Sequence, residues 1–226
     1  MLCPPAITGF DQEQAEDALK ELGEPQYRAS QLLDWVYAKR AKDFEAMTNL
    51  PGALRKKLAE GFVINPLTPT GDSRSGDTTR KYLYRLHDGR YIETVLIPAS
   101  PALYGERSDR HTLCVSSQVG CAYGCKFCAS GLDGFARNLE ASEIAGQVLA
   151  VERESGKKVN NIVFMGMGEP LANLPNLLHA IGIINAPWGI GIGARHMTVS
   201  TSGLAPQIRS LADQPLQIRL AVSLHG

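Results

Sequence analysis

The chain has 226 residues with 23 Lys and Arg against 23 Asp and Glu, so its formal net charge is zero. This balance gives no electrostatic sign of a nucleic-acid partner, which usually shows as an excess of basic residues. No apolar run approaches the roughly 20 residues that span a bilayer, and the first residues lack the layout of a signal peptide. The five cysteines, three of them in one short loop, do not suit a secreted disulfide framework. We therefore expect a cytoplasmic protein that does not contact a membrane.

Residues 1–62 have the apolar spacing of a small helical domain. The periodicity predicts one helix over Asp11–Leu22, with Asp11 as its cap, and a second over Gln26–Arg40. Pro51 suits the first turn of a third helix. Because a unit of about 60 residues rarely folds well alone, we expect it to pack on the rest of the chain.

Residues 63–110 are predicted to form a β-rich connecting segment. Two strands, Tyr82–Leu86 and Tyr91–Ile97, are separated by an Asp-Gly pair that is typical of a hairpin turn. A third strand, Thr112–Ser116, leads into the loop that carries the clustered cysteines.

Residues 111–226 alternate between predicted helices and strands. The helices are expected over 141–153, 174–184 and 205–211, and the strands over 161–165, 197–201 and 218–224. This alternation is typical of parallel βα units, whose functional loops follow the carboxyl ends of the strands. The fold class is therefore α/β, and this region is predicted to be the first part of a partial (β/α) TIM-like barrel.

Cys121, Cys125 and Cys128 form a Cys-x3-Cys-x2-Cys run. A cubane of four irons and four sulfides needs four outer ligands, so three thiolates leave one iron open to a small molecule. The alternatives are a structural zinc site and three unrelated core thiols. Zinc knuckles pair Cys-x2-Cys with a second pair or with histidines, and no such half follows. Buried structural cysteines do not usually cluster in a glycine-flanked polar loop, so the run favours a [4Fe-4S] cluster.

Several segments at the predicted strand ends resemble the RlmN family of radical S-adenosylmethionine (SAM) methyltransferases. They are residues 116–120, 131–138, 165–171, 200–203 and 223–225. The resemblance covers the whole chain and implies a radical SAM barrel with an RNA-contacting N-terminal domain, a [4Fe-4S] cluster and SAM as cofactors. It also implies methylation of carbon 2 of adenosine in 23S rRNA, and in tRNA beside the anticodon, through a methyl-cysteine intermediate. Carbon 2 lies between two ring nitrogens and is electron-poor, so a radical route is needed.

The resemblance also implies a role for each matched residue. The cysteines of the run match the cluster ligands, and a further six residues match SAM contacts: Gly168, Glu169, Ser200, Ser223, Leu224 and His225. Glu93 matches the proton acceptor and Cys114 matches the cysteine that forms a transient disulfide. Without the resemblance, Glu93 would be taken as a solvated strand residue and Cys114 as a small core residue. A lone Gly-Glu-Pro and single hydroxyl residues would be assigned to turns or caps.

The partners that the resemblance implies are 23S rRNA, tRNA and an electron donor such as flavodoxin or ferredoxin, and we expect a monomer. The family's methyl-carrying cysteine and a SAM-contacting asparagine have no counterpart here, so we expect a C-terminally truncated chain that stops on its fourth barrel strand. Three alternatives remain. They are a carbon-8 adenosine methyltransferase of the chloramphenicol-florfenicol resistance type, an inactive fragment that binds cluster or SAM, and a zinc-binding interaction module.

Overall fold

The computed structural model describes residues 4–76, 78–99, 109–126, 128–132 and 134–224. Its helices are α1 (Gln12–Glu21), α2 (Tyr27–Leu33), α3 (Gly52–Gly61), α4 (Ala141–Ser155), α5 (Leu174–Asn185) and α6 (Ala205–Ala212). A π-helix, Asp34–Ala38, continues α2 directly. Within this described part of the chain, no helix is long and apolar enough to cross a membrane.

The predicted N-terminal helices are present, with small changes at their ends. Asp11 caps α1 as expected, because its carboxylate accepts a 2.9 Å bond from the Gln14 backbone N–H and the Gln14 side chain accepts one from the Asp11 N–H. Such a reciprocal pair satisfies two of the donors that a helix start leaves without partners. Pro51 is the residue before α3 rather than a member of its first turn.

In the part of the chain that the structure describes, nine strands form two sheets. They are β1 (Thr68–Arg74), β2 (Arg80–Arg85), β3 (Tyr91–Pro98), β4 (His111–Cys114), β5 (Gln118–Gly120), β6 (Phe135–Asn138), β7 (Asn161–Phe164), β8 (Met197–Thr201) and β9 (Arg219–Val222). The larger sheet has the order β1-β2-β3-β4-β7-β8-β9, with antiparallel pairs from β1 to β4 and parallel pairs from β4 to β9. The α/β class and the four parallel strands are therefore confirmed, and β5 and β6 form a separate antiparallel pair.

Three of these strands were not predicted, each for a physical reason. Every residue of β1 is exposed, so the strand carries no apolar alternation, and Pro69 and Gly71 flank an irregularity in its pairing with β2. The strands β5 (Gln-Val-Gly) and β6 (Phe-Ala-Arg-Asn) carry neither an apolar run nor a period-two alternation.

The N-terminal region packs on α4, as expected for so small a unit. Thr8 donates its hydroxyl to the Ser142 carbonyl at 3.2 Å, and Asn65 donates its side-chain amide to the Gly146 carbonyl at 2.9 Å. Arg40 forms an ion pair of 2.7 Å with the largely buried Glu152. One cluster of buried apolar side chains joins this region to the sheet. The division into residues 1–62, 63–110 and 111–226 stays a prediction.

Candidate cluster and cofactor site

A cleft of about 240 Å³ lies at the carboxyl ends of β7, β8 and β9. The cysteine loop borders one part of it and the strand ends border the rest. Its lining residues are Cys121, Tyr123, Cys125, Cys128, Phe164, Met165, Gly166, Gly168, Glu169, Pro170, Ser200, Thr201, Ser202 and Ser223. Residues up to 102 positions apart in the sequence, Cys121 and Ser223, thus share one cleft, because parallel strands place their carboxyl ends on one edge of the sheet.

The three clustered thiols are free and partly buried. Burial raises the pKa of the Cys121 thiol, and a backbone hydrogen bond of Tyr123 partly offsets this rise. The negative charges of Cys125, Cys128 and Glu169 raise the pKa further. Among the described residues, no group of three His, Cys, Asp or Glu side chains is gathered around a single metal position. The donor set fits a polynuclear cluster, in which each thiolate ligates a different iron.

Position 168 requires a glycine, because the backbone there has a positive φ and passes close to β5. Its φ of +98° is rarely adopted by other residues, and a Cβ at this position would lie 2.4 Å from Cβ of Gln118. The Gln118 side chain accepts a 2.8 Å bond from the Glu169 N–H and donates to Asn138 at 2.7 Å. Gln118 therefore holds the loop after β7 against the β5–β6 pair.

Glu169 is 4% exposed, and its carboxylate bonds to the protein itself. Oε1 accepts from the Leu171 N–H at 3.0 Å. Oε2 accepts from the N–H of Ser202 at 2.8 Å and from its hydroxyl at 2.9 Å. The side chain predicted to contact SAM thus also joins the loop after β7 to the loop after β8.

The other predicted SAM contacts divide into three groups. Ser200 and Ser223 both line the cleft, with their hydroxyl oxygens 3.4 Å apart across β8 and β9. The side chain of Leu224 is 86% exposed and does not belong to the cleft lining. His225 lies outside the described residues.

Cys114 and Glu93 lie on strands beside the cleft rather than in its lining. Cys114 pairs with Val163 of β7 on one side and Val95 of β3 on the other. Burial raises the pKa of the Cys114 thiol to about 11, although a backbone hydrogen bond of Met165 lowers it somewhat. Glu93 lies two residues before Val95 on β3 and forms a 2.8 Å ion pair with Lys81 of β2. Both side chains border a separate cavity of about 260 Å³.

A buried network that the sequence analysis missed connects these strands. The Ser116 hydroxyl donates to the Glu93 carbonyl at 2.6 Å and accepts from the Met167 N–H at 2.9 Å. Gln147 of α4 accepts from the Thr94 hydroxyl at 2.7 Å and pairs with both backbone groups of Ser116 at 2.9 Å. Its sequence signal is a glutamine within the apolar stretch of α4, which indicates a buried polar group with obligatory partners.

A separate cavity of about 680 Å³ lies at the opposite, amino-terminal ends of the parallel strands. Its lining includes Lys158, His196 and Arg219. We place the candidate site in the smaller cleft, because that cleft combines the thiols with the strand-end loops where βα folds carry their functional residues.

Comparisons with known proteins identify the family of the chain. Residues 6–64 match the family described as the ribosomal RNA large subunit methyltransferase N-terminal domain, and residues 115–226 match the radical SAM superfamily. A protein of Akkermansia muciniphila, named as a probable dual-specificity RNA methyltransferase RlmN, is 54% identical over 222 residues. A similarly named protein of Opitutus terrae is 51% identical over 232 residues. Each alignment covers 98% of this chain and 62% of the relative.

A crystal structure of a radical SAM methyltransferase from Sphaerobacter thermophilus superposes on this chain with a TM-score of 0.90 at 45% identity. The superposition covers 98% of this chain and 64% of that protein. Both the cysteine loop and the N-terminal helices thus lie within matched regions, so the chain belongs to the RlmN family of the radical SAM superfamily.

Proposed function

We propose that this protein is a radical SAM RNA methyltransferase that modifies carbon 2 of adenosine in 23S rRNA and in tRNA beside the anticodon. The observation that carries the proposal is the shared cleft, in which Cys121, Cys125 and Cys128 face Glu169 and the strand-end serines. The names of its relatives, which cover RNA methylation and dual specificity, support the choice of substrate.

The three cysteines would hold a [4Fe-4S] cluster, and one iron would remain available to SAM. Gly168 and Glu169 would hold the amino group of SAM, while Ser200 and Ser223 would contact the rest of the molecule. When bound, the reduced cluster supplies an electron to SAM, and this opens radical chemistry at an adenine carbon that is too electron-poor for ordinary methyl transfer. An external one-electron donor, such as a flavodoxin or ferredoxin, would therefore be a partner.

Glu93 and Cys114 would serve the later proton and thiol chemistry. Glu93 would accept the carbon-2 proton, and its carboxylate forms an ion pair with Lys81. Cys114 would contribute the thiol that forms a transient disulfide. Because burial raises its pKa to about 11, Cys114 is a protonated thiol at neutral pH and needs a base before it can act as a nucleophile.

The test is complementation of a bacterial strain that lacks the carbon-2 methylase, followed by mass spectrometry of nucleosides from its 23S rRNA and tRNA. We expect 2-methyladenosine in both RNAs when the chain carries the family's C-terminal segment with its methyl-carrying cysteine, and none when Cys125→Ala is expressed in the same form at the same level. 8-Methyladenosine would instead assign the protein to the carbon-8 group. A protein that holds iron, sulfide and SAM yet yields neither nucleoside would be a binding protein without methyl transfer.

Metal analysis after anaerobic reconstitution separates these outcomes from a zinc module. We expect about four irons and four sulfides per chain. Stoichiometric zinc that iron and sulfide cannot replace would contradict the proposal.

A further inference from the structure

The three hydrogen bonds to the Glu169 carboxylate come from two different loops. The Leu171 N–H, in the loop after β7, donates to Oε1. Ser202, in the loop after β8, donates two hydrogen bonds to Oε2, one from its backbone N–H at 2.8 Å and one from its hydroxyl at 2.9 Å. An ionised carboxylate has about four lone-pair sites, two on each oxygen. Both sites of Oε2 are therefore occupied, and one site of Oε1 remains.

The Ser202 donors are themselves held in place by the local backbone. The Gly203 N–H donates to the Thr201 hydroxyl at 3.1 Å, and Gly203 has a φ of +110°. This turn fixes the direction of the Ser202 N–H at the end of β8 before any ligand binds. Since Glu169 and Ser202 both line the cleft, the bonded pair forms part of its wall.

We propose that Ser202 is a positioning residue for SAM recognition, which acts by holding Oε2 so that the open site of Oε1 faces the ligand's ammonium group. The inference rests on the proposed function in one respect, namely that SAM is the ligand of this cleft. A charged hydrogen bond depends strongly on direction, and a nearly buried carboxylate that is already oriented loses little freedom when the ammonium binds.

A merely structural role for Ser202 makes a different prediction. If its hydrogen bonds only kept the loop after β8 folded, their loss would weaken the binding of every ligand of the cleft equally. If they orient Oε1, their loss would weaken the binding only of ligands that carry the amino group.

The experiment measures ligand binding to the full-length, cluster-loaded protein by anaerobic equilibrium dialysis. SAM is compared with 5'-methylthioadenosine, which keeps the adenosine and the sulfur but lacks the amino-acid part, at concentrations up to millimolar. Ser202→Ala removes the hydroxyl bond and keeps the backbone bond. Ser202→Thr keeps both donors, and the exposed side chain has room for the added methyl group. Ser210→Ala is the matched control, because that hydroxyl bonds only the Pro206 carbonyl on the exposed side of α6.

For Ser202→Ala we expect SAM to bind about tenfold more weakly, the loss typical of one hydrogen bond to a charged group, and 5'-methylthioadenosine to bind within about twofold of the unmodified protein. Ser202→Thr and Ser210→Ala should bind both ligands normally.

Equal weakening of both ligands, or an unchanged SAM affinity, would overturn the positioning role. Failure of the unmodified holoprotein to bind SAM would overturn it as well. Normal SAM binding without RNA methylation would count against the proposed function alone.

Discussion

Gly168 and Gln118 lie so close that a Cβ on the glycine would stand 2.4 Å from Cβ of the glutamine. The contact brings the loop after β7 against β5, the strand that leads into the cysteine loop. Gly168 and the three cysteines all line the same cleft, so a displacement of the loop after β7 would change the shape of the candidate site.

Gly168→Ala should therefore destabilise the protein and weaken SAM binding. The positive φ alone costs about 1 to 3 kcal/mol for a residue with a side chain, and the clash with Gln118 adds to this cost. Chemical denaturation measures the first effect and dialysis the second. Gly182→Ala is the control, because this exposed glycine lies within α5 with open space around it. It should stabilise the protein by roughly 0.5 to 1 kcal/mol, and a similar gain at Gly168 would contradict the contact.

Replacement of Cys121, Cys125 or Cys128 by alanine should abolish the brown chromophore and the broad violet absorption of the reconstituted protein. Each thiolate is expected to hold one iron, and removal of one leaves the cubane with two protein ligands. Cys114→Ala should keep its iron, because this thiol lies outside the cleft lining. Full iron and sulfide content in Cys125→Ala would refute the ligand assignment.

Glu169→Gln should weaken SAM binding and also lower the stability of the protein. The carboxylate accepts bonds from both loops, and a glutamine side chain must turn its NH₂ group toward either the Leu171 N–H or the two donors of Ser202. Hydrogen bonds to charged groups contribute about 1.5 to 3 kcal/mol, so we expect SAM affinity to fall by about that amount. Calorimetric titration with SAM and thermal unfolding without it measure the two effects. An unchanged SAM affinity would remove Glu169 from the site.

Gln147→Leu should destabilise the protein by about 3 kcal/mol or more, because it leaves the buried Thr94 hydroxyl and both backbone groups of Ser116 without partners. Thr94→Val removes one hydrogen bond of the same network and should cost about 1 to 2 kcal/mol. Urea unfolding of the two variants measures this difference. Equal small losses would show that the network does not hold β3, β4 and α4 together.

The Cys114 thiol should make the stability of the protein fall between about pH 9 and pH 11. Burial raises its pKa from an ordinary 9.0 to about 11, so in this window the thiol ionises in the unfolded chain but stays protonated in the folded one. Its contribution is fully present below pH 9, is lost through the window, and corresponds to about 2 to 3 kcal/mol. The difference between the unmodified protein and Cys114→Ala, measured by urea unfolding at several pH values, isolates this effect from other titrating groups. A constant difference across the window would contradict the burial of this thiol.

Local sequence patterns are enough to predict the fold class and most of the regular elements. The apolar periodicity predicts β8 and α4 because each of them packs one face or more against a continuous core, and burial of that kind leaves a repeat in the sequence. The cysteine run and the Gly168-Glu169 pair are also visible in the sequence, since closely spaced residues with special chemistry form local motifs. β1 left no such pattern because all of its residues are exposed.

Which distant residues meet, and which groups their polar atoms bond to, follows from the three-dimensional arrangement of the chain. Ser202 and Glu169 are 33 positions apart, and Gln147 meets Ser116 and Thr94 from another element. These contacts depend on the order of strands in the sheet and on side-chain directions at the strand ends, which no local pattern encodes. Hydrogen bonds act over about 3 Å and are strongly directional, so they are determined only when packing of the core has fixed the positions of the loops.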